Sequence, residues 1–417
     1  MTLLSMYFLA GVLAVSALAV DFAYLLSARN QLQVAADAAA HAALYYREQH
    51  DAEDAKVKAV AIANHSMPED SYGAVLRAED IEFGHWDYDS QTFTVDDFSK
   101  DAVRVRPGRT ETRGNPVAAH LFAILNKPMW DMTAQAVFVV FDPHCLREGF
   151  VGDKVVDIQS NNGYEKGFCV HSNQYVSVNS NNTFEAGTVV SMPDSDEIEL
   201  PRSGFESNAG LQAALRNGYY RLRILNQMDR IYEDLYWASG DFLPDYIASA
   251  VPITVSQKKL TNADLIPERV HRVNCGGQAL QIEAGTLLHR VVVVTDCAIR
   301  FGAGVILDEA VIITQSTDAK SINSASDLQI GRDDACADGG GAQIITYGGL
   351  EVPAALKFFG GQVIAKGNVS FSADAGGIEG ASVIAGGTIS GTSNMTMGYC
   401  GTGMDDNFTV PYFRLAF

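Results

Sequence analysis

Residues 3–44 read LLSMYFLAGVLAVSALAVDFAYLLSARNQLQVAADAAAHAAL. No charged side chain precedes Asp21 and no basic one precedes Arg29. About 20 apolar residues at 1.5 Å rise span a hydrocarbon core of roughly 30 Å. A stretch rich in Ala and Leu and free of Pro favours helix. After Ser27 the sequence turns to Arg29, Gln31, Gln33 and Asp37 on an Ala background. The expectation is one helix that crosses a membrane and then continues outside it with a polar face. Asp21 sits at the edge of the apolar run, where a carboxylate is costly. It is expected either to meet a cation or α-amino group of a partner subunit or to mark the membrane–water boundary.

The run AVDFAYLLSARNQLQVAADAAAHAAL, residues 19–44, resembles the N-terminal signature of TadG-like proteins of the bacterial Flp/Tad pilus system. The matching parts are Val20–Asp21, then Leu26, Arg29, Leu32 and Gln33, then the Ala-Asp-Ala-Ala-Ala of residues 36–40. Weaker similarity continues through FGHWDYDSQTFTV, DAVRVRP and GNPVAAHLF to about residue 142. The resemblance implies a structural and assembly component, a minor pilin-like subunit held in the inner membrane by a single pass. The bulk of the chain would lie in the periplasm or on the cell surface. It implies pilus-assembly subunits and inner-membrane machinery as partners, no enzymatic activity and no cofactor. Asp21, Arg29 and Gln33 become the residues expected to serve membrane-helix assembly. Ala17-Leu18-Ala19 offers a cleavage site of signal-peptide type; the resemblance favours a retained anchor. Many relatives carry a von Willebrand A domain with an Asp-x-Ser-x-Ser metal motif, and Asp87-Tyr88-Asp89-Ser90-Gln91 does not supply one.

Downstream, DAEDAKVKAVAIANHS predicts a second helix over residues 51–66, with Val57, Val60 and Ala61 on one face. Met67-Pro68 ends it. Residues 67–142 read as a small α/β head. A hairpin pairs Ile81–Trp86 with Thr92–Val95. DAVRVRP gives a third strand with Val103 and Val105 on one side. Asn115 and Pro116 start a helix through VAAHLFAIL, and MTAQAVFVVF closes the sheet.

From Asp142 short β-prone runs alternate with Asn, Ser, Gly and Asp: KVVDI, FCVHS, YVSVNS, then VVVVTDCAIRFGAG and VILDEAVIITQ. Short strands with small polar corners predict stacked rungs of a parallel β-solenoid, with an antiparallel sandwich as the rival. No strict repeat length is apparent. The solenoid is expected over 143–204 and 250–417. A helical insertion is expected over 205–249, where Leu211, Leu215, Leu222, Leu225 and Met228 recur at helical spacing. Its Tyr219, Tyr220, Tyr232, Tyr236 and Trp237 are suited either to docking or to packing on the solenoid. The fold class is α+β.

A net charge of −20 makes nucleic acid a poor partner. Six cysteines, Cys145, Cys169, Cys275, Cys297, Cys336 and Cys400, contain no C-x-x-C and suit an oxidising compartment. They allow 15 connectivities, of which pairing between chain neighbours is the simplest. His144-Cys145 with Cys169-Val170-His171 could instead hold zinc, though the spacing is unlike a zinc finger. The acidic clusters at Asp194-Ser195-Asp196-Glu197 and at Asp333, Asp334 and Asp338 lack any calcium-loop spacing. No Gly-x-Ser-x-Gly and no phosphate loop occurs. Asp308 and Glu309, adjacent in a strand, would point to opposite faces. Two other functions compete with a pilus subunit: a β-helix enzyme acting on polysaccharide, and an adhesin using the solenoid or the aromatic insertion.

Overall fold

The structure, a computed structural model, describes residues 2–119, 128–391 and 393–416, with side chains 2–4, 10, 13, 14, 17 and 374–376 outside the description. It divides into two units, Met1–Phe141 with Pro411–Phe417, and Asp142–Val410.

In the first unit, helix α1 (Thr2–Arg47) packs along helix α2 (Ala52–Ser66). Asp51 caps α2, its Oδ1 accepting from the Asp54 amide at 2.9 Å. The contact is built from alanines: Ala35, Ala36, Ala39, Ala40 and Ala43 of α1 against Ala55, Ala59 and Ala63 of α2, all fully buried. Side chains this small let two helix backbones approach closely. The face expected on α2 is therefore wrong. Val57 is 69% exposed, because an Ala stripe at i, i+4 spacing buries more backbone contact than the larger valines could. Beneath the helices lies an antiparallel sheet of strands β1 (Ile81–Asp87), β2 (Thr92–Val95), β3 (Ala102–Val105) and β4 (Ala136–Phe141). Phe83, Val103 and Val105 fill its buried side.

Two features of this head depart from the sequence reading. Val117–Ala118 is a strand paired with Met129–Trp130, not the opening of a helix; residues 120–125 of that expected helix fall outside the described residues. The chain's last strand, Tyr412–Leu415, belongs to this sheet and pairs antiparallel with β4. The solenoid thus ends at Val410 rather than at 417, and residues 142–410 are an insertion between two adjacent strands. Among the described residues no helix is long and apolar enough to cross a membrane.

Residues 142–410 form a three-sided solenoid whose described rung-to-rung pairings are parallel, which excludes the sandwich. The stacking order is not the chain order. One inward column runs Ile253, His271, Val293, Ile312, Ile344, Val363, Val383, Phe150, Val170, Val190, Leu215. The chain therefore starts in mid-stack at Gly149–Gly152 and climbs to Leu215–Asn217. It then returns along the outside to Ile253–Val255 and climbs again until it docks beneath its own first rung. At about 4.8 Å per rung the return covers roughly 48 Å.

The returning segment is the expected insertion, but its bounds differ. Asn208–Ala209 and Leu215–Asn217 are strands of the last upper rung, and Leu211 lies in the solenoid core. Beyond them, helix is confined to Arg223–Asn226 and Met228–Trp237. This strap seats Leu222, Ile224, Met228, Ile231 and Leu235 on Val292, Val294, Val311, Ile313 and Ile345. The long strands are consequently buried on both faces: Ile312 inward and Ile313 outward are each fully buried. That explains the unbroken apolar runs, a mark of parallel sheet covered on both sides.

A repeat does exist. Asn162 and Asn182 lie 20 residues apart, and the Asn162 amide donates to Asn182 Oδ1 at 2.9 Å. Asn182 in turn donates from its amide to Asn208 Oδ1 at 3.0 Å. This buried amide ladder fixes the corner of the upper rungs. Disulfides join chain neighbours: Cys145–Cys169, Cys275–Cys297 and Cys336–Cys400, with Cα separations of 5.0, 6.2 and 5.7 Å.

Candidate assembly site

Helix α1 carries the three residues expected to serve assembly, and the structure separates them. Asp21 is fully buried. Gln33 is half-buried and binds inside the head, its Nε2 donating to Asp37 Oδ1 and to the Gln135 carbonyl, both at 2.9 Å. Its amide fastens α1 to the sheet. Arg29 is exposed. Leu25 and Ala28 pack on Val117, which fixes the inward face of α1 at this level.

The outward face holds what the sequence reading missed. Phe22, Leu26 and Val34 are 60%, 44% and 62% exposed, and with Asn30 they recur every four residues along one stripe. Leu26, Asn30 and Val34 line a shallow groove closed on its far side by Ser66 and Met67. Toward the N-terminus the apolar surface continues, with Met6, Tyr7 and Phe8 more than 70% exposed. Four-residue spacing of apolar groups within a polar stretch was a readable signal. The Ala run drew attention to the opposite face.

The candidate groups of the solenoid make the following contacts. Cys145 and Cys169 are joined by a disulfide, so neither offers zinc a thiolate. His144 Nε2 lies 2.6 Å from the Gly167 carbonyl. His171 is fully buried, its Nδ1 2.7 Å from Ser191 Oγ and its Nε2 2.9 Å from Asn173 Oδ1. Burial holds its imidazole below the ordinary range, partly offset by the Asn173 bond. Asn173 then grips the strap: Nδ2 donates to the Tyr220 carbonyl at 2.8 Å, and Oδ1 accepts from the Tyr220 amide at 3.0 Å. Asp194 accepts from the Asp196 amide and Asp334 from the Ala337 amide, each closing its own turn.

Glu309 takes a left-handed φ of 48° at a rung corner, so the alternation of a regular strand does not hold there: Asp308 and Glu309 are both half-buried, between buried Leu307 and Ala310. Asp308 lies 3.0 Å from His289 Nδ1 and accepts from Arg332 Nη2 at 2.8 Å. Glu309 lies 3.4 Å from Arg290, which lies 3.4 Å from Glu268. An Asp-held imidazole can exchange protons. Here the guanidinium shares the carboxylate, and the His289 side chain is 41% exposed on a corner that does not exclude water. The arrangement is a ladder of ion pairs linking successive rungs. Glu148, by contrast, is buried and accepts from the Cys400 and Gly401 amides at 2.5 and 2.9 Å. Burial pushes its carboxyl up, and the two amides pull it back only in part.

Aromatic residues of the strap mostly face the solenoid. Tyr220, Tyr232, Tyr236, Phe242 and Tyr246 pack on its outer apolar face. Tyr219 and Trp237 stay 66% and 61% exposed. Arg272 stacks over the Tyr236 ring at 4.0 Å and donates to the Tyr236 carbonyl at 2.6 Å.

A family model described as a domain of unknown function, DUF7867, matches residues 149–401. The chain belongs to the DUF7867 family. The DUF7867 region begins at the first rung and ends just past Cys400, so the family unit is the split solenoid together with its strap. A second model, described as Flp pilus-assembly TadE/G-like, matches residues 1–59, which cover α1 and the first half of α2. The N-terminal part of this DUF7867 protein is therefore TadE/G-like, as residues 19–44 implied. Neither the curated proteins nor the solved structures contain a match.

Proposed function

We infer that the protein is a membrane-anchored structural subunit of a Tad/Flp pilus system, minor pilin-like, which works through protein contacts. The observation that carries this reading is α1. Its inner half is an Ala seam buried against the head, and its outer stripe and N-terminal end are apolar and exposed. Such a surface is costly in water, at roughly 25 cal/mol per Å², and needs lipid or another helix to cover it. The TadE/G-like match over the same residues names pilus assembly. Residues 3–20 carry no charged side chain and are the segment this reading assigns to the membrane. The acidic, disulfide-stapled solenoid then lies on the periplasmic or outer side, with no catalytic role.

The test is fractionation of cells that carry the pilus system. The protein is expected to resist alkaline carbonate extraction of membranes and to co-purify, in detergent, with pilus-assembly machinery or with sheared filaments. Release into the carbonate supernatant would remove the anchor. Purification free of every pilus component would remove the subunit role. Hydrolysis or elimination of a polysaccharide by the purified protein, lost in His289→Ala, would favour the enzyme reading instead.

A further inference from the structure

Of the three disulfides that staple the solenoid, one differs from the other two. Cys145, Cys169, Cys275 and Cys297 are buried, each at 7% exposure or less. Cys336 and Cys400 are both half-buried. A disulfide that solvent reaches exchanges with dithiols more readily than a buried one. This pair also has a third group beside it. Glu379 is half-buried, and a carboxylate oxygen of Glu379 and the two sulfurs all lie within 4.8 Å of one another. That carboxylate makes no hydrogen bond or ion pair among the described residues.

The backbone holds all three groups without help from the sulfur–sulfur bond. Glu379 pairs with Gly398 of the next rung, two residues before Cys400. Cys400 is fixed by Glu148, whose carboxylate accepts from the Cys400 and Gly401 amides. Cys336 sits in a turn that the Ala337 amide closes by donating to Asp334 Oδ1 at 3.1 Å. Two glycines let the loops meet. A Cβ on Gly403 would lie 2.5 Å from the Cys336 carbonyl oxygen, and one on Gly380 would lie 2.5 Å from Cys400 Sγ. Opening the disulfide therefore leaves two thiols and a carboxylate around one point.

We propose that Cys336 and Cys400, once reduced, bind zinc together with Glu379, so that these two loops are joined either by a disulfide or by a metal. Zinc bonds near 2.3 Å to sulfur and 2.1 Å to oxygen place tetrahedral ligands about 3.5–3.8 Å apart. That is a small shift from the present spacing. Two thiolates with a carboxylate suit zinc, whereas calcium and magnesium take oxygen ligands. Water fills the fourth position. A dithiol opens the bond: it passes two electrons and two protons to the sulfurs and becomes a disulfide itself. Zinc then displaces the two thiol protons. In the reverse direction a disulfide oxidant takes two electrons from the thiolates and two protons from water, the Cys336–Cys400 bond re-forms and zinc leaves. The proposal does not rest on the pilus reading.

The test uses the full chain in detergent. It is reduced briefly with a phosphine, desalted without oxygen, and titrated with zinc against a chromogenic chelator. Alkylation and mass mapping are expected to find Cys336 and Cys400 open and the other four cysteines still joined. The reduced chain should bind one zinc and the oxidised chain none. Glu379→Gln should weaken binding at least about tenfold, the lower end of what loss of an outer-shell partner costs, and Cys336→Ser should abolish it. Cobalt in place of zinc should give thiolate charge-transfer absorption that Cys400→Ser removes. No zinc in the reduced chain, equal binding by the oxidised chain, or unchanged affinity in Glu379→Gln overturns the proposal. Opening of a buried pair before Cys336–Cys400 overturns it as well. An unchanged melt of oxidised Glu379→Gln shows that the variant folds.

Discussion

The two halves of the solenoid build the same stack by different means. Rungs over residues 149–192 repeat at 20 residues and place Asn in the same buried corner each time. Rungs over residues 253–398 have unequal lengths, as the partners Val293–Ile312 and Ile312–Ile344 show. Strands of both halves are buried on both faces; the upper half adds a ladder of satisfied polar groups that fixes its register, and the lower half relies on the matched apolar columns. A one-residue slip breaks the first by orphaning amides, and the second by turning matched apolar columns out of phase.

The largest effect should come from testing whether both faces of a lower strand are core. Ile312→Ala and Ile313→Ala are each expected to cost about 2–5 kcal/mol, read by urea unfolding in detergent, and to agree within about 1 kcal/mol. A cost below about 1 kcal/mol for Ile313→Ala alone would mean that the strap does not seal that face. Asn182→Ala should cost about 2–3 kcal/mol, because it strands the Asn162 amide. Gln281→Ala, at an exposed position of the lower half, should stay within about 0.5 kcal/mol. Equal costs for these two changes would erase the contrast between the halves.

Acid should weaken both halves through different histidines. Burial holds His171 and His271 below their usual 6.5. The folded state thus binds fewer protons than the unfolded one in that window, and stability falls as pH drops below about 6.5 toward the lowered value. His171 faces Ser191, Asn173 and the Tyr220 ring; His271 Nε2 accepts from the Ile266 amide. Hydrogen exchange at pH 7 and pH 5 should show faster opening at the lower pH. His171→Gln should flatten that response in the upper rungs and leave the lower rungs unchanged. The smallest effect is expected at the strap. Arg272→Gln should lose about 1 kcal/mol and raise protease clipping within residues 219–247, with the rungs otherwise intact.

Much of the head was readable. Alternating Val103 and Val105, the hairpin of β1 and β2 and the stop at Met67-Pro68 are local signals, and local signals survive folding. The buried face of α2 was not, because Ala carries little hydrophobic contrast on a period plot. In the solenoid the strands and corners were visible, yet the stacking order was not. Nothing in GFVG at 149–152 announces a partner more than two hundred residues later. The repeat was missed because it holds for only part of the chain. On α1 Arg29 is exposed, whereas Gln33 is engaged by a carbonyl 102 residues away, a contact no spacing rule reveals.

The closing strand Tyr412–Leu415 has a consequence for biogenesis. As the chain emerges N-terminus first, α1 and α2 are available early, but the sheet they cover lacks its edge strand until residues 412–415 have been made. The first rung likewise waits for 382–385 to shield its underside. The head therefore cannot finish before the whole solenoid has been made, and a product cut short before residue 382 would present two raw edges to proteases.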